Sequence, residues 1–381
     1  MAFRGPLGCV ARPAALRALP LLLALAAGCR GGPIKLGIAG AFSDPAGAPM
    51  RLAARLAAEE INAAGGVGGR QLLLVERDDY ADPDSAVGVA NDLYQSDVSA
   101  VVGHLFSGTT MAAAPVYNSG RNPLVALSPS SSAPDVTTAG PYTFRICPSD
   151  LAHGAALARW ADDRLGLKRA AVLYLNNDYG RGIRSTFIRD FIQRQGEIVS
   201  SDPYLGDAPP VGPYLDRLAR DKRAQLLLVA GNRLEAEEIL RQARARGITI
   251  PLMGGDGLEG IEQAGALSEG VYVSTAYLPL IASPANRRFI AAWKKKYPEA
   301  PPPNQPAAAT YDAVYLLREV FARAGDNRAA VRRALEAVGH GTPAFEGVTG
   351  RIAFDSMGDV SNAQVYVGVV HGGRIVLAGG L

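Results

Sequence analysis

Short apolar runs bounded by turn residues alternate with amphipathic stretches through the first two-thirds of the chain. Ile34-Lys-Leu-Gly-Ile-Ala-Gly-Ala-Phe42 reads as a buried strand. Residues 51–64 repeat apolar positions at helical spacing until Gly65 and Gly66 stop them. A strand at 71–76 follows, then a helix to about Gln95 with Asp82 as its cap and Pro83 at its first position. The stretch 101–133 is the most informative. Val101 and Val102 end a strand, Ser107 precedes an Ala-rich helix that its hydroxyl can cap, and residues 124–127 form a second strand ending in Ser128-Pro129-Ser130-Ser131-Ser132. A second series starts with Ser149 capping a helix at 151–165. Strands at 170–175, 198–204, 225–229, 251–253 and 271–274 then alternate with helices at 182–195, 214–220 and 234–246. Three successive helices are predicted at 284–297, 305–324 and 327–338, and antiparallel strands at 350–354, 363–370 and 374–377. The pattern is that of an α/β chain with two doubly wound lobes and a ligand cleft between them.

In such sheets ligands sit at the carboxyl ends of the strands. Two neighbouring strand ends here offer Ser hydroxyls, free backbone N–H groups and a positive helix terminus, an anion site with no Lys or Arg in its sequence. A small carboxylate suits it. Asp256, in Gly254-Gly255-Asp256-Gly257 after a strand, offers a counter-charge for an ammonium, although Asp is also an ordinary turn residue there.

The N-terminus changes the compartment. Residues 1–28 hold Arg4, Arg12 and Arg17, no acidic residue, and an apolar run at 18–27 shorter than the roughly 20 residues of a membrane span. This reads as a secretory signal peptide. Gly28-Cys29 resembles the lipobox of bacterial lipoproteins, which implies a lipid anchor on Cys29. Ala26 stands where Leu is usual, and Ala24-Leu25-Ala26 also suits ordinary cleavage. Loss of the segment takes the formal charge of the 381-residue chain from +3 to zero, which leaves no electrostatic footprint for nucleic acid. Only Cys147 then remains of three cysteines, so the fold rests on packing and Cys147 reads as a buried small hydrophobe.

Several motifs together resemble one family, the periplasmic substrate-binding proteins of ABC transporters for branched-chain amino acids, the leucine/isoleucine/valine-binding type. They are Gly40-Ala-Phe-Ser43, Glu60-Ile-Asn-Ala-Ala-Gly-Gly-Val67, Asp78-Asp79-Tyr80-Ala81-Asp82-Pro83, Val102-Gly-His-Leu-Phe-Ser107, Ser128-Pro129-Ser130, Asp178-Tyr179-Gly180 and Met253-Gly-Gly-Asp256. The resemblance covers 34–381 and implies the type I periplasmic binding protein fold, with one lobe at 34–149 plus 280–360 and the other at 150–279 plus 361–381. It implies that Ser107 and Ser132 bind a carboxylate, that the Ser130 carbonyl and Asp256 take an ammonium, and that Tyr179 closes over the ligand from the opposite lobe. Asn232, a further ligand-binding position, stands where an aromatic residue is usual, another aromatic is missing near Pro49, and Asp256 replaces Glu, so a purely apolar side-chain pocket is not expected.

Rival chemistry is thin. His104, His153, His340 and His371 lack zinc-ligand spacing, and Gly65–Gly69 lacks the Lys of a phosphate loop. No Gly-x-Ser-x-Gly elbow or placed base activates Ser107. Asp78 and Asp79 read as a solvated or hinge-side turn, Asn232 as a helix cap, and Lys294-Lys-Lys296 as a wet helix face. The expectation is a non-enzymatic, periplasmic or cell-surface solute-binding protein with no cofactor or metal. It captures a small amino acid or related carboxylate for an ABC permease. The alternative is a sensor for an amide or aromatic acid feeding a signalling partner.

Overall fold

A computed structural model describes residues 31–206, 209–361 and 363–379, with positions 1–3, 5 and 8. Contacts divide the chain into residues 1–31 and a body, residues 32–381. Cys29 and nearly all of the expected signal lie outside the described residues.

The body opens with β1 (Ile34–Gly40), α1 (Ala48–Ala63), β2 (Leu72–Asp78), α2 (Pro83–Gln95), β3 (Ala100–Val102), α3 (Ser107–Asn118), β4 (Ala126–Ser128) and β5 (Thr143–Arg145). The strands form one parallel sheet in the order β2-β1-β3-β4-β5. Alternation along each strand separates two cores, as the period of two requires. Leu36, Ile38, Val102, Val125 and Leu127 face α1 on one side. Ala39, Val101, Leu124 and Ala126 face α2 and α3 on the other.

Next come α4 (Asp150–Asp163), β6 (Arg169–Leu175), α5 (Asp178–Gln193), β7 (Glu197–Tyr204), α6 (Gly212–Asp221), β8 (Leu226–Ala230), α7 (Arg233–Ala245), β9 (Leu252–Gly254) and β10 (Tyr272–Thr275). After α8 (Pro284–Lys296), α9 (Gln305–Ala324), α10 (Arg328–Glu336), β11 (Phe345–Glu346) and β12 (Arg351–Ile352), the chain ends in β13 (Tyr366–His371) and β14 (Arg374–Leu377). The second sheet runs β14-β13-β10-β9-β8-β6-β7, parallel except where β13 and β14 pair antiparallel. Its faces pack against α6 and α7 on one side and α4 and α5 on the other. α9 and α10 instead bury Ala309, Ala313, Leu317 and Leu335 in the core of the first sheet. The chain thus crosses between the sheets after β5, after β10 and before β13.

Local signals place most element ends. Asp82 accepts from the Ser85 N–H at 2.8 Å and caps α2, with Pro83 in its first turn. Ser149 caps α4 through the Leu151 N–H. α1 starts at Ala48, three residues before the expected start, because Pro49 fits a first helical turn. β5 escapes the sequence pattern: it is three residues long, and its pairing with β4 is a tertiary matter. No helix among the described residues is long and apolar enough to cross a membrane.

Candidate functional site

The β3–α3 and β4–β5 connections meet at the carboxyl edge of the first sheet. Ser107 is buried but does not cap α3. The helix takes Phe106 as its N-cap, so Ser107 is already its first residue and its hydroxyl cannot reach the next N–H groups. Ser107 Oγ instead accepts from the Ala133 N–H at 3.2 Å and ties the two loops together. Ser128 and Ser131 are consumed in the same way. Ser128 Oγ donates to the His104 carbonyl at 2.8 Å and accepts from the Ser131 N–H at 3.0 Å, while Ser131 Oγ meets Thr110 Oγ1 at 2.6 Å. Ser130 is half-buried, with its hydroxyl 3.4 Å from Gln305 Oε1. Ser132 is fully buried and its Oγ makes no hydrogen bond of good geometry.

A cation does lie behind this loop, contrary to the sequence-based expectation. Arg145, at the end of β5, is fully buried and donates to the carbonyls of Ser132 (3.1 Å) and Ala133 (2.8 Å). The same guanidinium pairs with Asp359 at 2.6 and 2.8 Å and with Thr137. Its charge is therefore already engaged, and its effect is to fix the backbone of the Ser-rich loop.

The facing residues come from the second sheet. Asn177 caps α5 and sets Tyr179 in the first turn. Tyr179 is buried and its hydroxyl accepts from the Gly257 N–H at 2.7 Å and donates to Asp256 Oδ1 at 3.0 Å. Burial first, then the charges of Asp256 and Asp150, raise the tyrosine pKa far above its usual range. Asp256 follows β9, and the other carboxylate oxygen lies 3.7 Å from His153 Nε2. Burial keeps His153 below its ordinary pKa, so the ring is neutral, and its Nδ1 meets Ser274 Oγ at 3.0 Å. Gly257 lets this group assemble, since a Cβ there would stand 2.7 Å from the Tyr179 hydroxyl.

Asp150 joins the two sides. Its backbone N–H donates to the Ser132 carbonyl at 2.7 Å, and its side chain is fully buried beside Ser132 Oγ. Glu259 makes a second link: it accepts from Thr275 Oγ1 and from the Gln305 N–H (2.8 Å), and the Gln305 amide donates to the Pro129 carbonyl at 3.1 Å. Burial pushes the Glu259 carboxyl up to about 8.

Of the six expected ligand residues, Ser107 and Ser132 share the loop junction, Ser130 adjoins them, and Tyr179 bonds Asp256. Asn232 follows β8, next to Gly231, whose carbonyl lies against Gly257. It is the N-cap of α7, yet its side chain accepts no helix N–H and instead donates to Glu235 Oε1 at 3.2 Å. Asp150, His153, Glu259, Gln305 and Arg145 were missed. Asp150 and His153 had a readable signal, since three residues' separation at a capped helix start puts both on one face. The expectation of a solvated or hinge-side turn is corrected at Asp79, which is not solvated: it is fully buried and pairs with His104 Nδ1 at 2.6 Å, while His104 Nε2 meets the Tyr117 hydroxyl at 3.1 Å and Asp78 stays half-buried. Asp79 is buried because its turn packs under α3. Among the described residues no His/Cys/Asp/Glu group could hold a metal ion.

The arrangement sets hydroxyls and a 12-residue helix N-terminus opposite carboxylates, complementary to a small zwitterion. Known proteins with this architecture agree in kind. A family model described as "Periplasmic binding protein" matches residues 33–374. A leucine-, isoleucine-, valine-, threonine- and alanine-binding protein of Pseudomonas aeruginosa is 31% identical over 336 residues, 86% of this chain and 87% of the relative. A leucine-specific-binding protein of Salmonella typhimurium is 30% identical over 352 residues, 90% of this chain and 92% of the relative. The crystal structure of the branched-chain amino acid transporter substrate-binding protein LivJ of Streptococcus pneumoniae, in complex with isoleucine, superposes with a TM-score of 0.81 at 29% identity, covering 90% of this chain and 97% of that one.

Proposed function

Since the chain belongs to the periplasmic binding protein family, we propose that it captures a small α-amino acid in the cleft between its two sheets and passes it to an ABC permease. It is a solute-binding protein of the extracytoplasmic type, as its relatives are. The finer reading assigns one lobe to 34–149 with 280–360 and the other to 150–279 with 361–381, with Cys29 as a lipid anchor.

One observation supports an amino acid most directly. The hydroxyl side, Ser107 and Ser132, and the carboxylate side, Asp256 held by Tyr179, arise from different sheets and are linked through Asp150, whose N–H bonds the Ser132 carbonyl and whose carboxylate feels the charge of Asp256. A solute carboxylate would be taken by Ser107, Ser132 and the first N–H groups of α3. The Ser130 carbonyl and Asp256 would take its ammonium. Closure of the lobes removes water from both contacts and strengthens them, and it offers the permease a shape that differs from the empty state. No group is required to make or break a covalent bond.

Titration calorimetry of the purified protein with a panel of α-amino acids tests this. One or more should bind tightly, and Asp256→Ala should abolish the heat. Binding confined to acids without an amino group would discard the ammonium role. For the anchor, radiolabelled palmitate should enter the full chain in bacteria and be lost in Cys29→Ala; an unlabelled parent chain would exclude it.

A further inference from the structure

Several polar atoms at the foot of the site are buried with no hydrogen bond of good geometry. Both carboxylate oxygens of Asp150, Ser132 Oγ and His153 Nε2 are buried, and the Asp150 carboxylate has only the Ser132 hydroxyl as a neighbouring donor, while His153 Nε2 has only Asp256 at 3.7 Å. Native proteins rarely leave such groups empty, and a carboxylate is the most costly of them. The ionisable groups facing Asp150 are known. They are Asp256 after β9, Arg145 on β5, Tyr179 on α5, the buried Cys147 thiol and, one turn along α4, His153. Arg145 is taken by Asp359 and two carbonyls, Tyr179 by Asp256 and Gly257, and His153 is neutral. None of these balances two carboxylates. The Asp150 carboxylate packs closely against Gly182, where a Cβ would stand 2.3 Å from Oδ2.

We propose that Asp150 and Asp256 together seat the primary ammonium of the captured solute, so that an amine is obligatory and a plain carboxylic acid is refused. This rests on the amino-acid reading above and adds Asp150 as a recognition residue. The seat also exchanges a proton. Burial, then the charge of Asp256, raise the Asp150 carboxyl well above its ordinary range, against the opposing influence of Ser132 and Arg145. The empty site therefore keeps a proton on Asp150. When R–NH3⁺ arrives, the Asp150 O–H bond breaks, the proton leaves for solvent, and the carboxylate accepts from the ammonium. Affinity then rises with pH until the empty protein itself loses that proton.

The test is calorimetry of the purified full chain with L-leucine, L-alanine and L-threonine, and with isocaproate, which is leucine without its amine. Each is measured in phosphate and in Tris, buffers of different ionisation enthalpy. The amino acid that binds should release up to about one proton, seen as unequal heats in the two buffers. Isocaproate should not bind. Asp150→Asn should weaken the amino acid by about tenfold to a hundredfold, as loss of a charge-assisted hydrogen bond does, and should equalise the heats. Wild-type affinity and unequal heats in Asp150→Asn would overturn the proposal while leaving the amino-acid reading intact. Should that variant not fold, the parent protein decides alone, since equal heats in both buffers overturn it. Binding of isocaproate with no amino acid bound would overturn both.

Discussion

Replacing Arg145 by Met keeps an unbranched stem of similar volume and deletes the guanidinium. The side chain is 0% exposed and that of its partner Asp359 is 19% exposed, so water can reach only the acid. The Asp359 carboxylate, the Ser132 and Ala133 carbonyls and Thr137 Oγ1 each lose one donor, while Asp359 keeps the Thr137 hydroxyl, Ser132 the Asp150 N–H and Ala133 the Val136 N–H. Removing one member of a buried ion pair costs about 3–5 kcal/mol. The partial exposure of Asp359 and the donors that remain on it and on the two carbonyls pull towards the lower figure. The expected loss is therefore near that lower figure. It should appear as a lower urea midpoint at unchanged slope. Removing the partner as well, in Arg145→Met with Asp359→Leu, should restore about 2 kcal/mol, because the stranded charge is gone. Amino-acid affinity should fall in the single variant, whose Ser-rich loop has lost its backbone clamp. A stability loss below about 1 kcal/mol, or strict additivity in the double variant, would refute the reasoning.

Tyr179→Phe keeps the ring and strands the Gly257 N–H and Asp256, so stability should drop by about 1–3 kcal/mol and affinity by about tenfold, read by thermal melts and calorimetry. Unchanged affinity would make Tyr179 a packing residue only. Glu259 ionises near its ordinary 4.5 in the unfolded chain but is pushed up to about 8 when folded. Between these values the folded state holds the extra proton, so this group's contribution to stability is full below the lower value and is lost as pH rises through the upper one. Glu259→Gln should flatten the fall in unfolding free energy across that window, by a few kcal/mol at most, in urea titrations at several pH values, whereas parallel pH curves for variant and parent would contradict it. Gly182→Ala gains about 1 kcal/mol of helix propensity but sets a methyl 2.3 Å from Asp150 Oδ2 and 2.9 Å from Pro134, so net destabilisation with weakened binding is expected. A more stable variant with full affinity would show that Asp150 is free to move.

Periodicity along the chain carries the strands and helices, because apolar spacing of two or 3.6 is local information. The helix at Gln305–Ala324 was read to its observed ends, and the cap by Asp82 followed from three adjacent residues. The Ser-rich strand ends and Asp256 were legible for the same reason, each lying one step beyond an apolar run. Ser107 shows where that reading thins: a start shifted by one residue turned an expected cap into a tie to Ala133. What tertiary structure alone decided is partnership. Arg145 finds Asp359 across 214 residues, and Gln305 reaches Pro129 across 176. Asp79 is buried against His104, which comes from the β3–α3 connection 25 residues on. Asp150 looks like a routine first-turn acid until Asp256 is folded against it. Local pattern can say that a residue is charged and roughly where its backbone runs. Whether that charge meets water, a cation or another carboxylate is settled by the three crossings between the sheets, and no short-range pattern encodes them.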